Sequence, residues 1–205
     1  MFSDELERLW STPIAIRIFH EAKEFNAQLE QTILELQKID PGKNKSNCMG
    51  WHSTGNLFQK FTPELENLYE IIVQLVSDYV VELSPTKSQV KVEPFAWANV
   101  LNKGGYHSVH NHPNCHLSGV YYINTGEPDP DNLNSGLIAF SDPRVGAGMV
   151  SSSYLDFGAS YQYTPEPGML LIFPAYLSHW VHPFTGKGQR ITVSFNAKLV
   201  EPLGN

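Results

Sequence analysis

The sequence predicts an α+β fold, with two N-terminal helices packed outside a β-rich remainder. Two observations point to the helices and one to the strands. Phe25, Leu29, Ile33 and Leu36 recur at three- and four-residue steps, as do Leu65, Leu68, Ile72, Leu75, Val76 and Tyr79. After Pro85, short extended runs alternate with Gly, Pro, Asn and Asp turns to the end of the chain. Neither a linker nor a repeat divides it. Residues 1–205 are therefore expected to form a single domain, mainly helical over 1–85 and β-structured over 86–205.

The elements follow in order. Pro13 to Phe19 reads as a short strand, with Ile14, Ile16 and Ile18 alternating with Ala15 and Arg17. A helix runs from about His20 to Ile39 and is stopped by Pro41-Gly42. Lys43 to Asn47 is a polar loop. Gly50-Trp51-His52-Ser53 is expected to be a buried turn anchored by its indole, with His52 structural. Thr62 is a candidate N-cap for the second helix, and Pro63 suits the first helical position. Strands are expected over Val90–Asn102, Ser108–His112, Leu117–Asn124, Leu137–Phe140, Met169–Phe173, His179–His182 and Arg190–Val200. The connection from Asp142 to Pro167 is long for a structureless loop. It carries Tyr154, Phe157, Tyr161 and Tyr163, and is expected to cover a substrate.

Composition removes several classes of function. With 14 basic against 21 acidic residues the net charge is −7, which argues against nonspecific nucleic-acid or anionic-membrane binding. No run of 18 apolar residues exists to span a bilayer. Met1-Phe2-Ser3-Asp4-Glu5 lacks the basic and apolar regions of a secretory signal. Two cysteines, Cys48 and Cys115, are too few for a disulfide framework, so a reducing, cytoplasmic setting is expected. A homodimer is left open.

The chemistry concentrates in Gly104 to Ile123, which holds four of the eight histidines: His107, His110, His112 and His116. In an extended chain His110 and His112 project to one face and can grip one transition-metal ion. A helix would pair His112 with His116 instead. Pro113 and the run Val120-Tyr121-Tyr122-Ile123 oppose that. About 70 residues on, His179 and His182 lie in a segment whose extended form turns only one of them toward the same site. In the last strand Ile191, Val193, Phe195, Ala197 and Leu199 share one face, and Arg190, Thr192, Ser194, Asn196 and Lys198 the other. That polar face is either solvated or turned into a barrel. In a barrel, Arg190 could clamp a carboxylate with Thr192 donating beside it.

His110-Asn111-His112, then His179, then Arg190-Ile191-Thr192 resembles the Fe(II)/2-oxoglutarate-dependent oxygenases, whose pattern is His-x-Asp/Glu, a distant His, and Arg-x-Ser/Thr. More narrowly, the chain looks like the uncharacterised 2-oxoglutarate/Fe(II) oxygenases of marine bacteria and phages. The matching pieces are Gly50-Trp51-His52-Ser53, Trp97-Ala98-Asn99, His110-Asn111-His112-Pro113, Ser118-Gly119-Val120-Tyr121-Tyr122, Phe140-Ser141-Asp142-Pro143-Arg144, Phe173-Pro174 and Arg190 to Asn196.

The resemblance implies a double-stranded β-helix, a cupin-like jelly-roll barrel, with Fe(II) and 2-oxoglutarate inside. It implies His110, His112 and His179 as metal ligands and catalytic residues, and Arg190 and Thr192 on the distal carboxylate of 2-oxoglutarate. Asn99, Tyr121 or Tyr122 would orient that co-substrate. His112 departs from the pattern by standing where the superfamily has a carboxylate. Three histidines also suit zinc with an open water position. A cupin-like enzyme without 2-oxoglutarate and a non-catalytic jelly-roll binding module are the alternatives. The expected substrate is a small molecule or a peptide. Since only neutral imidazole ligates, metal is expected to leave as pH falls toward and below about 6.

Overall fold

A computed structural model describes residues 10–87, 90–149, 154, 158 and 160–200. The described strands form one curled antiparallel sheet of nine: β1 (Ala15–Ile18), β2 (Asn47–His52), β3 (Lys91–His110), β4 (Leu117–Asn124), β5 (Ile138–Ser141), β6 (Ser160–Tyr163), β7 (Met169–Pro174), β8 (His179–Val181) and β9 (Arg190–Val200). Their order is β1-β7-β4-β9-β3-β8-β5-β6, with β2 on β3. The helices are α1 (Lys23–Ile39) and α2 (Pro63–Leu83). This is the α+β jelly-roll architecture that the resemblance implies. Among the described residues no helix is long and apolar enough to cross a membrane.

Strand β3 makes the curl. Its first half pairs with β9, from Lys91↔Val200 to Leu101↔Arg190, and its last turns pair with β8 at His107↔Val181 and His110↔His179. Strand β2 runs along the opposite edge, from His52↔Asn99 to Asn47↔His107. So β3 leaves one half-sheet and enters the other on the same edge. The passage falls at Gly104-Gly105, where Gly104 takes φ +88, a conformation that favours glycine. The sequence reading broke this strand into two; the glycines bend it without ending it.

The helices cover the outer face of the β1-β7-β4-β9-β3 half. Leu29 and Ile33 of α1 and Leu68, Ile72 and Val76 of α2 are fully buried against Tyr121, Val193, Phe195 and Ala197. Alternation then sends the neighbouring residues inward, where Val120, Tyr122, Leu171 and Phe173 meet Ile138 and Phe140 of the other half-sheet. Gly119 sits opposite Phe195. A Cβ there would collide with the Phe195 ring and the Leu171 carbonyl. Gly119→Ala is expected to destabilise the fold by about 1–3 kcal/mol. Urea unfolding measures this, and an unchanged midpoint would mean the ring can swing aside.

Several local expectations are corrected. Gly50-Trp51-His52 is strand β2, not a turn, because Asn47 to His52 finds the free edge of β3. The indole still anchors the segment, donating from Nε1 to Asp40 O at 3.0 Å. Thr62 occupies the N-cap position of α2, but its hydroxyl donates to Glu64 and makes no cap bond. Within 142–167, Ser160–Tyr163 is edge strand β6 rather than loop. None of that segment's described residues lines the inner cavity; Tyr154 and Tyr161 are exposed, and Phe157 lies outside the described residues.

Candidate active site

Between the half-sheets is a cavity of about 530 Å³. His110 and His179 are direct cross-strand partners at its wall. His112 lies just past β3, not on the strand as expected, and its backbone N–H donates to Ala175 O at 2.9 Å. The ring centroids are 4.3 Å apart for His110–His179, and 5.1 Å for both His110–His112 and His112–His179. One ring nitrogen from each lies within 4.8 Å of the other two. Register shifts between His107 and His110, a bulge that turns residues three apart toward the same cavity.

The tautomers follow from carbonyl partners, which can only accept. Nδ1–H of His110 donates to Ser108 O at 2.7 Å, and Nδ1–H of His179 to Leu177 O at 2.8 Å. Each Nε2 is thereby left unprotonated, with a lone pair that a metal can use. This donor set fits a first-row divalent metal. His182 faces away, accepting from Trp180 Nε1 at 3.2 Å. His116 is also engaged elsewhere, its Nδ1 accepting from Leu199 N–H at 3.0 Å.

A ladder row crosses the floor: Tyr122↔Thr192 between β4 and β9, Thr192↔Asn99 between β9 and β3, and Asn99↔His52 between β3 and β2. Asn99 donates to Ser194 Oγ at 3.1 Å. Arg190 is 2% exposed and lies 5.1 Å from the Tyr122 ring centroid. Burial lowers its pKa, and burial raises that of Tyr122 to about 12. Arg190 Nε, Tyr122 Oη and Asn99 Oδ1 are the buried side-chain polar atoms without hydrogen-bond partners among the described residues. Orphans of this kind mark a place for a polar ligand. A guanidinium at the closed end of a cavity fits a carboxylate.

Tyr121 does not reach the cavity. One residue out of phase with Tyr122, it turns to the helices and donates to Asn26 Oδ1 at 2.7 Å. Of the two tyrosines the resemblance left open, the one at the cavity is therefore Tyr122. His107, which the sequence offers as a competitor for the metal site, and His52, expected to be structural, also line the cavity. Ser46 adds its Oγ between His107 Nδ1 (3.2 Å) and His110 Nε2 (3.4 Å). The parity of Tyr122 was visible, but which parity faces inward was not.

Burial keeps the imidazoles neutral. Desolvation brings His112 down to about 4 and His179 to about 3, and also lowers His107 and His110. These folded values lie below the ordinary 6.5, so in between the unfolded chain takes up protons that the folded chain refuses. Stability of the metal-free protein should therefore fall as pH drops through that window. The slope is up to about 1.4 kcal/mol per pH unit for each of His112 and His179. Urea midpoints between pH 7 and about 4 test this, and a flat profile would refute it. The same burial moves proton competition for metal below the value near 6 expected from free imidazole.

A jelly-roll barrel with three convergent histidines and a buried guanidinium defines a candidate metal-dependent enzyme site. Residues 95–196 match the model of the family described as "Putative 2OG-Fe(II) oxygenase". The match spans His110, His112, His179, Arg190 and Thr192, and the chain is a 2OG-Fe(II) oxygenase, an enzyme using Fe(II) and 2-oxoglutarate. No curated protein matches it in sequence. Among solved structures it is similar to a prolyl-4-hydroxylase from Pseudomonas putida, with 12% identity, TM-score 0.64, and 92% of this chain and 93% of that one covered. It is also similar to a Trichoplax adhaerens prolyl hydroxylase in complex with a hypoxia inducible factor peptide fragment (10%, 0.64, 90% and 83%). A third is HygX from Streptomyces hygroscopicus with nickel and 2-oxoglutarate bound (9%, 0.63, 91% and 83%). At these identities the likeness is one of fold.

Proposed function

We propose that this chain is a hydroxylase-type dioxygenase that couples decarboxylation of 2-oxoglutarate to oxidation of a small-molecule or peptide substrate. The observation that carries the reading is the pairing, in one cavity, of a three-histidine cluster with a fully buried Arg190 whose Nε has no hydrogen-bond partner among the described residues. His110, His112 and His179 hold the metal through neutral ring nitrogens. Arg190 clamps the distal carboxylate of 2-oxoglutarate, Thr192 donates beside it, and the Tyr122 hydroxyl supplies a further donor. Asn99 fixes Thr192 and Ser194 from behind. Bound iron supplies oxygen activation coupled to loss of CO2, with succinate as co-product. The aromatic walls formed by Phe140 and Phe173 around His179 keep water from the reacting centre.

The matching sequence pieces support placement in the marine bacterial and phage subgroup. The two free cysteines accord with a cytoplasmic setting. The whole of 1–205 is read as one oxygenase-like unit. Anaerobic reconstitution with Fe(II) tests the function. Adding 2-oxoglutarate should produce a visible metal-to-ligand charge-transfer band, and admission of oxygen should yield succinate. A protein that binds iron but gives neither would favour the cupin-like reading, which has no use for Arg190.

A further inference from the structure

We propose that the primary substrate is an anion, carrying a carboxylate or phosphate group that Lys43 and Lys45 engage at the cavity mouth; this rests on the oxygenase reading above. The first ground is charge. The chain carries −7 overall, yet Lys43, Lys45 and Arg190 line the cavity and, among the described residues, no Asp or Glu does. Three neutral imidazoles leave both charges of a divalent metal uncancelled. Metal and Arg190 together exceed the two negative charges of 2-oxoglutarate by one, and the lysines raise that excess to three. An anionic substrate would be drawn in and a cationic one repelled.

The second ground is that the lysines are uncommitted while their loop is built. Neither makes a salt bridge among the described residues. Their backbones are fixed on all sides. Asp40 accepts from Gly42 N–H at 2.8 Å and Thr54 N–H at 2.9 Å. Lys43 N–H donates to His52 O at 2.9 Å, and Lys45 N–H to Asn47 Oδ1 at 2.7 Å. Ser108 N–H closes the loop onto Ser46 O at 2.9 Å. The loop that carries the two lysines is thereby preorganised at the backbone, which keeps both ammonium groups on the cavity side of the molecule.

The third ground is the neighbouring wall. His52 stacks on Trp97 at 5.4 Å, and Trp97 contacts Phe95, which is half exposed. Burial is the main reason His52 sits at about 4, and the Lys43 and Lys45 charges push the same way, so both lie within electrostatic reach of that ring. The mouth thus offers ammonium groups beside an aromatic platform, which suits an anionic group on a planar or apolar body.

The test uses the protein loaded anaerobically with Fe(II) and saturating 2-oxoglutarate. Phenyl phosphate and benzoate are titrated against benzyl alcohol and benzyltrimethylammonium by calorimetry. At least one anion is expected to bind about tenfold tighter than the alcohol, and the cation not at all. The K43Q/K45Q double variant should lose that preference, while its 2-oxoglutarate affinity, read from the charge-transfer band, moves less than about twofold. Equal binding of alcohol and anions, or anion binding intact in K43Q/K45Q, would overturn the proposal. Repeating the anion titration on metal-free wild type and K43Q/K45Q separates the two claims. If the band never forms but the lysines still govern anion binding, the oxygenase reading fails and the anion site stands.

Discussion

Arg190→Ala should weaken 2-oxoglutarate binding by two orders of magnitude or more and leave metal content near that of the wild type. The size follows from burial. Arg190 is 2% exposed, its guanidinium lies 5.1 Å from the Tyr122 ring centroid, and it makes no salt bridge among the described residues. A carboxylate entering there meets a desolvated cation, and truncating one member of such a pair costs about 3–5 kcal/mol. The histidines are positioned by β3, β8 and backbone carbonyls; Arg190 pairs with Leu101 of β3 through its backbone, which the substitution leaves in place. Arg190→Met sharpens the test. A buried guanidinium without an acid opposes folding, so the methionine variant should unfold no earlier than wild type in the absence of 2-oxoglutarate while still failing to bind it. Charge-transfer titration, metal analysis and urea unfolding read the three quantities. Parallel loss of metal and co-substrate would mean that the barrel, not the clamp, had failed.

His179→Ala should abolish stable metal binding. His110 and His112 come from one short stretch, and His179 brings the third nitrogen from β8, the strand paired with β3 at His110. Without it, two ligands remain and the chelate opens to solvent. A loss of affinity beyond about a hundredfold is expected, more than removal of a supporting outer residue brings. The fold should survive, because the imidazole is buried as a neutral group among Phe140 and Phe173. The variant also removes one histidine that resists protonation, so the metal-free protein should become less acid-labile. Metal content after dialysis and the pH dependence of the urea midpoint are the measurements. Full metal retention would show that His107, or another group, completes the site.

The parts of this molecule that were readable in advance are those governed by local periodicity. The apolar steps of α1 and α2, the turn-rich second half and the two-residue alternation of β9 are properties of neighbouring residues in the chain. The His-x-His segment and the Arg190-Ile191-Thr192 tripeptide were visible for the same reason. What escaped was whatever depends on a partner far away in sequence. Gly50-Trp51-His52 looks like a turn until β3 offers it an edge, and Ser160–Tyr163 is a strand only because β5 lies beside it. Lys43, Lys45 and Ser46 read as a plain polar loop until Asp40, His52 and Ser108 fold it over the cavity.

The sequence by itself determined the fold class, the parity of the strands it made recognisable and the inventory of chemical groups. Only the tertiary structure decided which parity faces the cavity. That choice put Tyr122 beside Arg190 and sent Tyr121 to Asn26. It also let a bulge turn His107 toward the same space as His110. The physical reason is that alternation fixes which side chains share a face, while the burial of the helices against one side of the sheet fixes which face becomes the interior.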